Sequence, residues 1–500
     1  MSTNKFHVAI IGGGIGGLTA AIALSKRTDI QVDVYETAHK YTEIGAGVRL
    51  RRRSWHVMRA LGLEEPLSQL VDVTSEDERA AFTFRMGDQT EGFTFFQLEN
   101  PMGALAFHRA DFLQALSTHL PTENVTSHFC KRLISYTLPP LSSPTAPIAL
   151  NFKDGTTSEC DVLIGADGIH SAVRGKMYRD IAAAAEARGI DEEGKRLLEM
   201  VDPKWSGSVA YRGVIPCAKL EAISPGHRAM EGGVNYMGQD KHVIVFPMVH
   251  KKLINVVAFC SEPSKEGTTF DGQSVQEVPQ SELLEQYAGW EKEVTDLLKC
   301  IEKPSRWAID TVGPLPTFNF GRVVLLGDAA HAMTPHQGSG AGQAIEDAYI
   351  LSALLTSPIT TFTPRSTTTT DTNGNPERQI TTTLEEALKV YDAIRQPASN
   401  DVLRLSRING LLYEFNDPRF PAALSPVPNP GLPGDDSDRG TGTGDDVEKD
   451  KERLKQMGEE IKKNWEWAWS ADAEKQKDEA LRMLEERVAR IPGRVGVHDN

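Results

Sequence analysis

The stretch FHVAIIGGGIGG at residues 6–17 leaves few folds open to this chain. Its first six residues are an apolar, partly β-branched run bounded by glycine, which reads as a buried parallel strand. A helical pattern follows over residues 16–27, and QVDVYE at residues 31–36 reads as the next strand, giving one βαβ unit. Gly12, Gly14 and Gly17 stand in G-x-G-x-x-G register across the turn. The first glycine permits a tight turn, the second lets backbone approach a pyrophosphate, and the third allows close helix–strand packing. The helix N-terminus adds unpaired amides and a positive dipole end. Glu36 ends the second strand, 19 residues after Gly17, where an acid can accept hydrogen bonds from ribose hydroxyls. A glycine triplet alone also serves structural turns. With strand, helix and acid in place it points to a dinucleotide, and leaves FAD and NAD undecided.

Composition removes several other functions. The chain has 500 residues, 40 % of them hydrophobic, enough for a large core and two or more domains. A net charge of −15 argues against general affinity for nucleic acid or anionic membrane. The five cysteines, Cys130, Cys160, Cys217, Cys260 and Cys300, are scattered without metal-ligand spacing, so free thiols in a reducing compartment and no metal site are expected. The N-terminus runs straight into a strand, and no apolar run approaches the length of a membrane span. A cytoplasmic protein is expected, with neither nucleic-acid nor membrane partners.

Two later apolar strands end in glycine and aspartate, CDVLIGADG at 160–168 and GRVVLLGDAAH at 321–331. Between them SVAYRGVIP (208–216) and HVIVFPMV (242–249) show strand-like alternation, as expected of a mixed or antiparallel sheet. The fold class predicted is α/β, a Rossmann-like nucleotide domain interleaved with a second, mixed-sheet substrate domain, plus C-terminal helices. The first domain takes residues 1–70, 100–185 and 305–355; the second takes 71–99 and 186–304. Threonine-rich residues 356–383 read as a flexible surface insertion, 384–424 as a helical region, and 425–447, rich in proline, glycine and aspartate, as a linker. In 448–490, Leu454, Met457, Ile461, Trp465 and Trp469 recur at helical spacing, the pattern of an amphipathic helix docked on the main body.

DVLIGADGIHSAVR (161–174) and GRVVLLGDAAHAMTPHQGSGAGQAIEDA (321–348), taken with the N-terminal fingerprint, resemble the class A flavoprotein aromatic hydroxylases that share the p-hydroxybenzoate hydroxylase fold. The resemblance implies bound FAD. Asp328, at a strand's C-terminal end, would bind a ribityl hydroxyl. Backbone at Gly338, Gly340 and Ala341 would face the flavin's pyrimidine edge from the start of a helix, whose dipole favours negative charge on reduced flavin. HRADFLQAL (108–116) is a further match, and in the family the arginine at Arg109 reaches FAD. No second nucleotide domain is visible, so NADH or NADPH would bind transiently, and reduced flavin would activate O2 for delivery to an electron-rich ring in a small aromatic substrate.

Within that class SGSVAYRGVIP, GQDKHVIVFPMVHKKLINVVAF, HAMTPHQGSGAGQAIEDAY, LLYEFNDP and the tail EEIKKNWEWAWSADAE look most like salicylate hydroxylases, which convert salicylate to catechol with loss of carbon dioxide. A base near the hydroxyl would help, because phenolate is the better nucleophile. His336, in TPHQG beside Pro335 and the expected flavin turn, is the candidate; a histidine that only hydrogen-bonds its loop is the alternative. His331 reads as structural. Arg212 in YRG either faces the flavin and pairs with a carboxylate or phenolate, or lies on the solvent face of its sheet. Phe246 and Pro247 would supply an apolar wall. Relatives often carry an arginine shortly after this pair; here Val249 stands there, with His250 or Lys251 as substitutes for its charge. The competing functions are a secondary-metabolite hydroxylase acting on a polyketide phenol, a hydroxylase of another aromatic acid, and a non-catalytic flavin-binding scaffold.

EIGAGVRLRRRSWHVM (43–58) puts Arg49, Arg51, Arg52 and Arg53 into five positions. Gly47 and Arg49 fall where, in the family, backbone passes close to FAD. Relatives often continue into a Gly-Pro-Asn type of turn, which Arg51–Arg53 here replace. A nuclear signal or nucleic-acid patch is disfavoured within a folded cofactor loop of an acidic chain. The expectation is a modified flavin-proximal turn. Arg49 would point toward the pyrophosphate or the incoming nicotinamide cofactor, and the others would attract an anionic substrate or lie in solvent.

Overall fold

The computed structural model describes residues 5–42, 47–71, 80–100, 104–140, 142–248, 251–362, 365–370, 376–420, 444–470 and 473–491. The strand Phe6–Ile11 is central in a six-stranded sheet, paired in parallel with Ile30–Tyr35 on one side and Val162–Gly165 on the other. Val125–His128 continues the sheet beyond Ile30–Tyr35. Val323–Leu325 continues it beyond Val162–Gly165, with antiparallel Asn319–Phe320 at that edge. The central strands are mostly apolar because both faces are covered, with His7 and Asp33 meeting across the pair Phe6–Ile11 and Ile30–Tyr35. The helices Ile15–Leu24, Ala172–Glu186 and Gly340–Thr356, with a small sheet of Leu133–Thr137, Ile148–Phe152 and Thr157–Cys160, supply that cover.

The second sheet has eight strands, in the order Val275–Glu277, Ser305–Thr311, Lys204–Pro216, Leu253–Ser261, Lys241–Met248, Gly233–Gly238, Ala80–Met86, Phe93–Asn100. All its pairings are antiparallel except the one between Gly233–Gly238 and Ala80–Met86. The chain thus leaves the nucleotide sheet twice to build this one, as the expected interleaved α/β fold with a mixed sheet requires. Two short strands, Gly47–Arg51 and Ala104–His108, pair antiparallel at the junction.

The C-terminal helices close the structure. Thr383–Tyr413 runs for 31 residues, and within Gly444–Trp465 the side chains of Leu454, Met457 and Ile461 are buried against Phe84, Leu98 and Leu412. That i, i+3, i+7 stripe is the one the sequence displays. Ala473–Ala489 packs Ala480, Leu484 and Val488 toward Gly340–Thr356 and Thr383–Tyr413. In the threonine-rich segment, Arg365–Thr370 pairs antiparallel with Pro376–Thr381. Residues 425–443 of the expected linker lie outside the described residues, and 444–447 already belong to the helix Gly444–Trp465. No helix among the described residues is long and apolar enough to cross a membrane.

The arginine stretch does not form a turn. Arg49 and Arg51 lie on the strand Gly47–Arg51, and Arg51 caps the helix Arg52–Leu61 in extended conformation. Cations at a helix N-terminus oppose the dipole, and Arg53 is offset from elsewhere. Its Nε and Nη2 donate to Glu346 Oε1 and Oε2 at 3.0 and 2.7 Å in a bidentate, buried pair. Its guanidinium also lies 5.6 Å from the Trp467 ring centroid, and Nη1 donates to the Trp467 carbonyl at 3.3 Å. Arg53 therefore clasps the first turn of one helix to the Gly340–Thr356 helix and the C-terminal helices, rather than lying in solvent.

Replacing Arg53 by methionine leaves Glu346 buried without its main partner and is expected to cost about 3–5 kcal/mol of unfolding free energy. Arg395 Nη1, 3.6 Å from Glu346, tempers the loss toward the lower end of that range. Denaturant titration of both proteins measures it. A loss below about 1 kcal/mol, the level of an exposed ion pair, would contradict the clasp.

Candidate functional site

A continuous cavity of about 1470 Å3 lies between the two sheets and the C-terminal helices. Small-molecule sites commonly occupy about 300–1000 Å3, so this one has room for an extended cofactor and a separate ring. One end is built from loops at the C-terminal edge of the parallel sheet, where open α/β folds bind ligands.

At that end the fingerprint glycines divide their work. Gly12 has φ of +106°, and a Cβ there would stand 2.2 Å from the Ala166 carbonyl oxygen. A Cβ on Gly17 would stand 2.0 Å from the Gly12 carbonyl oxygen. Both are packing positions, and neither lines the cavity. Gly14, the N-cap of Ile15–Leu24, does line it, and a Cβ there would meet nothing within 4 Å. Glu36 directly follows the strand Ile30–Tyr35. Its oxygens accept from Gly13 N at 2.9 Å and Ala38 N at 2.7 Å, which anchors the fingerprint loop, and it is not among the cavity-lining residues.

Asp328 projects into the cavity from the end of Val323–Leu325, facing Gly340 across a gap of 3.7 Å to that glycine's Cβ position. Gly338, Gly340 and Ala341 line the wall beside it, where the helix Gly340–Thr356 begins and its first amides lack helical partners. A buried cluster holds this turn. Asp347 Oδ2 accepts from Gly327 N at 3.0 Å and lies 2.6 Å from His331 Nε2, while Oδ1 accepts from Arg395 Nε at 2.7 Å. Burial would raise the Asp347 carboxyl, but His331 and Arg395 outweigh it and hold it down to about 2. His331 thus orients the loop and, fully buried, does not reach the cavity.

The other end is an aromatic chamber. Phe246 and Pro247 form part of its wall, as expected, with Pro335 and His336 from the turn preceding the flavin-type loop. Gly47, also on the wall, donates its N–H to Asn255 Oδ1 at 3.2 Å and lies against Phe246. Phe84, Phe259, Tyr413, Trp465 and Trp469 complete the chamber; none of these stood out in the sequence as a pocket residue. The tryptophans arrive from the far C-terminus, and only their helical spacing signalled that the segment docks. His336 is buried, its ring centroid 5.1 Å from that of His242 and 5.2 Å from that of Phe259. Its Nδ1 has no hydrogen-bond partner, and burial, with the charges of His242 and Arg407, holds its pKa well below the usual histidine value. It is therefore neutral near pH 7. Behind it His242 Nδ1 lies 2.9 Å from Glu414 Oε1.

Arginines punctuate both ends. Arg212 lies on Lys204–Pro216 and lines the cavity, 4.9 Å over the Trp307 ring, with Nε unpartnered. It stands on the cavity wall rather than on the solvent face of its sheet. Burial pushes its guanidinium down to about 10, and the charge of Arg109, also on the cavity wall, adds to this. Arg49 and Arg51 flank the aromatic chamber instead. Val249 and His250 lie outside the described residues; Lys251 lines the cavity from the turn between Lys241–Met248 and Leu253–Ser261.

These residues suit a flavin dinucleotide: an open glycine at a helix N-terminus for a pyrophosphate, an acid at a strand end for a polyol, and helix-start amides for an electron-rich ring edge. Gly14 and Gly17 separate this cofactor seat from simple packing. Gly17→Ala must displace a backbone carbonyl and is expected to destabilise the fold. Gly14→Ala should unfold like the parent protein yet bind FAD at least about tenfold more weakly, a loss of about 1.4 kcal/mol. Flavin titration and thermal unfolding of both variants check this; unchanged FAD affinity in Gly14→Ala would exclude the fingerprint as the pyrophosphate seat.

Comparison with known proteins agrees with this arrangement. Residues 5–370 match the FAD binding domain family. A salicylate hydroxylase of Pseudomonas putida is 37 % identical over 427 residues, covering 84 % of this chain and 89 % of that protein. A 6-methylsalicylate 1-monooxygenase of Aspergillus terreus is 33 % identical, covering 83 % of this chain and 84 % of that protein. The solved structure of a salicylate hydroxylase substrate complex superposes with a TM-score of 0.73 at 28 % identity, covering 99 % of this chain and 100 % of that one. The chain belongs to the FAD-binding family of class A flavoprotein hydroxylases, and is an FAD-dependent monooxygenase of the salicylate hydroxylase type.

Proposed function

We propose that the protein hydroxylates a small phenolic acid, with salicylate converted to catechol and carbon dioxide, using NADH or NADPH and O2. The observation that carries this reading is the aromatic chamber, which joins the flavin-type loops and carries arginines and a neutral histidine on its wall. The 37 % identity to a salicylate hydroxylase supports it. Bound FAD supplies the chemistry of hydride acceptance and oxygen activation. The chain's own tasks are to hold the ring, exclude water and manage one phenolic proton. Phe246, Pro335, Phe259 and Tyr413 confine a flat ring against the flavin-type turn. The C-terminal tryptophans Trp465 and Trp469 add apolar wall to the chamber, which helps to exclude water. His336, neutral and on the chamber wall, accepts the phenolic proton as the ring becomes a nucleophile. Arg212, beside Arg109, stabilises negative charge near the other end of the ring path.

A second reading has its own support: the 6-methylsalicylate 1-monooxygenase among the relatives favours a substituted salicylate. Both readings predict decarboxylative hydroxylation and differ in the ring substituents accepted. Aerobic NADH and NADPH oxidation by FAD-loaded protein against a panel of phenolic acids, with product identification, tests them together. Catechol from salicylate is the expected product. Cofactor oxidation that yields only hydrogen peroxide across the panel would overturn the proposal.

His336 gives a pH signature. Because its pKa is depressed, the proton-accepting neutral form persists as pH falls below the ordinary histidine value. The rate of ring hydroxylation is expected to hold between pH about 8 and about 6. His336→Ala should lower it by about 100-fold or more, the usual scale of a general base. An acid limb near about 6.5 in the parent protein, or an unchanged rate in the variant, would contradict the assignment.

A further inference from the structure

Three of the four clustered arginines meet quite different surroundings. Arg53 is neutralised by Glu346. Arg49 and Arg51 belong to the same five-residue run, line the cavity, and have no carboxylate within ion-pairing distance among the described residues. Arg49 lies 5.0 Å over the Phe246 ring and 5.8 Å from that of Phe82. Arg51 stacks 3.9 Å over Trp465 and donates from Nη2 to the Gln337 carbonyl at 3.0 Å, while its Nε is buried without a partner. Adjacent strand positions of one parity bring the two guanidiniums to the same side of Gly47–Arg51. Burial pushes Arg49 down to about 10 and Arg51 to about 9, the second also through the charge of Arg49.

Cation–π contact offsets only part of the cost of partly desolvating a charge that no carboxylate neutralises. Two such charges side by side are a standing cost that a bound anion removes. Their planar forks match a carboxylate, and the rings of Phe246 and Trp465 pack against them at the cavity wall. Arg212 has a different cationic neighbour, Arg109.

We propose that Arg49 and Arg51 together form the carboxylate site of the aromatic chamber, with Arg49 the primary contact and Arg51 held against Trp465 as its second donor. This rests on the aromatic-acid reading above and narrows it: the substrate is an arene carboxylate whose acid group points toward the Gly47–Arg51 strand and away from Arg212. The C-terminal helix enters specificity through Trp465, because without that ring Arg51 loses its shelf.

Equilibrium binding separates this proposal from the hydroxylase reading. Isothermal titration of FAD-loaded protein with 2-hydroxybenzoate and with neutral 2-hydroxybenzamide is the measurement, with flavin content and thermal unfolding of each variant as fold controls. The parent should bind the acid at least about tenfold more tightly than the amide. Arg49→Met, whose side chain fits between two phenylalanines, should erase that preference by weakening the acid and sparing the amide. Arg51→Met should reduce the preference less, and Arg212→Met should leave it in place. Persistence of the preference in Arg49→Met, its loss in Arg212→Met, or the absence of any preference in the parent would each overturn the proposal. Acid preference without hydroxylated product would retain the carboxylate site and refute the hydroxylase reading. Hydroxylation of acid and amide at equal efficiency would do the reverse.

Discussion

Two consecutive carboxylates on the buried helix Gly340–Thr356, Glu346 and Asp347, hold the site together. Glu346 binds Arg53, and Asp347 binds Arg395, His331 and the Gly327 amide. Consecutive helix positions point about 100° apart, so one pair of acids reaches in two directions. One direction fixes the start of the Arg52–Leu61 helix and the C-terminal cover. The other fixes the turn that presents Asp328 and the long Thr383–Tyr413 helix. Buried ion pairs contribute little net stability, but removing one partner strands a charge. Their effect is therefore to make a single arrangement of these elements the only inexpensive one. The depressed Asp347 pKa gives the sign of its pH linkage. Its contribution is complete above the ordinary carboxyl range and is lost as pH falls through about 2.

The helix that carries these acids also starts at the cavity. Its N-terminal amides, the open face at Gly14 and the Asp328 carboxylate define one end, and the aromatic chamber defines the other. Charge is distributed against the grain of the chain. A protein of net charge −15 places Arg49, Arg51, Arg109 and Arg212 along one cavity. An acidic exterior with a basic interior slows non-specific anion binding while leaving a strong local preference for small anions inside.

Much of the fold was legible because its signals are local. FHVAII, its glycine turn and QVDVYE carry strand, turn and strand in consecutive residues, and Leu454, Met457 and Ile461 declare a docked helix by spacing alone. The parts that were not legible depend on long-range contacts. Arg53 and Glu346 are 293 positions apart, and nothing local to RLRRRS marks Arg53 as buried or distinguishes it from Arg51. A modified flavin-proximal turn was expected there. The ion pair with Glu346 and the Trp467 contact make room for a helix that begins with cations instead. Glu36 is a smaller case. An acid at a strand end reads as a ribose ligand, and only the fold shows that it also accepts from the Gly13 and Ala38 amides. Trp465 and Trp469 could be placed on a helix from sequence, but not on a pocket wall, since that requires knowing where the helix docks.

The most direct measurement is a crystal structure of the FAD-loaded protein with 2-hydroxybenzoate bound. The expected density places the flavin against Gly338, Gly340 and Ala341 with its polyol chain at Asp328. The aromatic ring should lie between Phe246 and Pro335, its hydroxyl toward His336 and its carboxylate within hydrogen-bonding distance of Arg49. A ring seated in the chamber with its carboxylate turned to Arg212, or a flavin bound away from the Gly338–Ala341 turn, would contradict this arrangement.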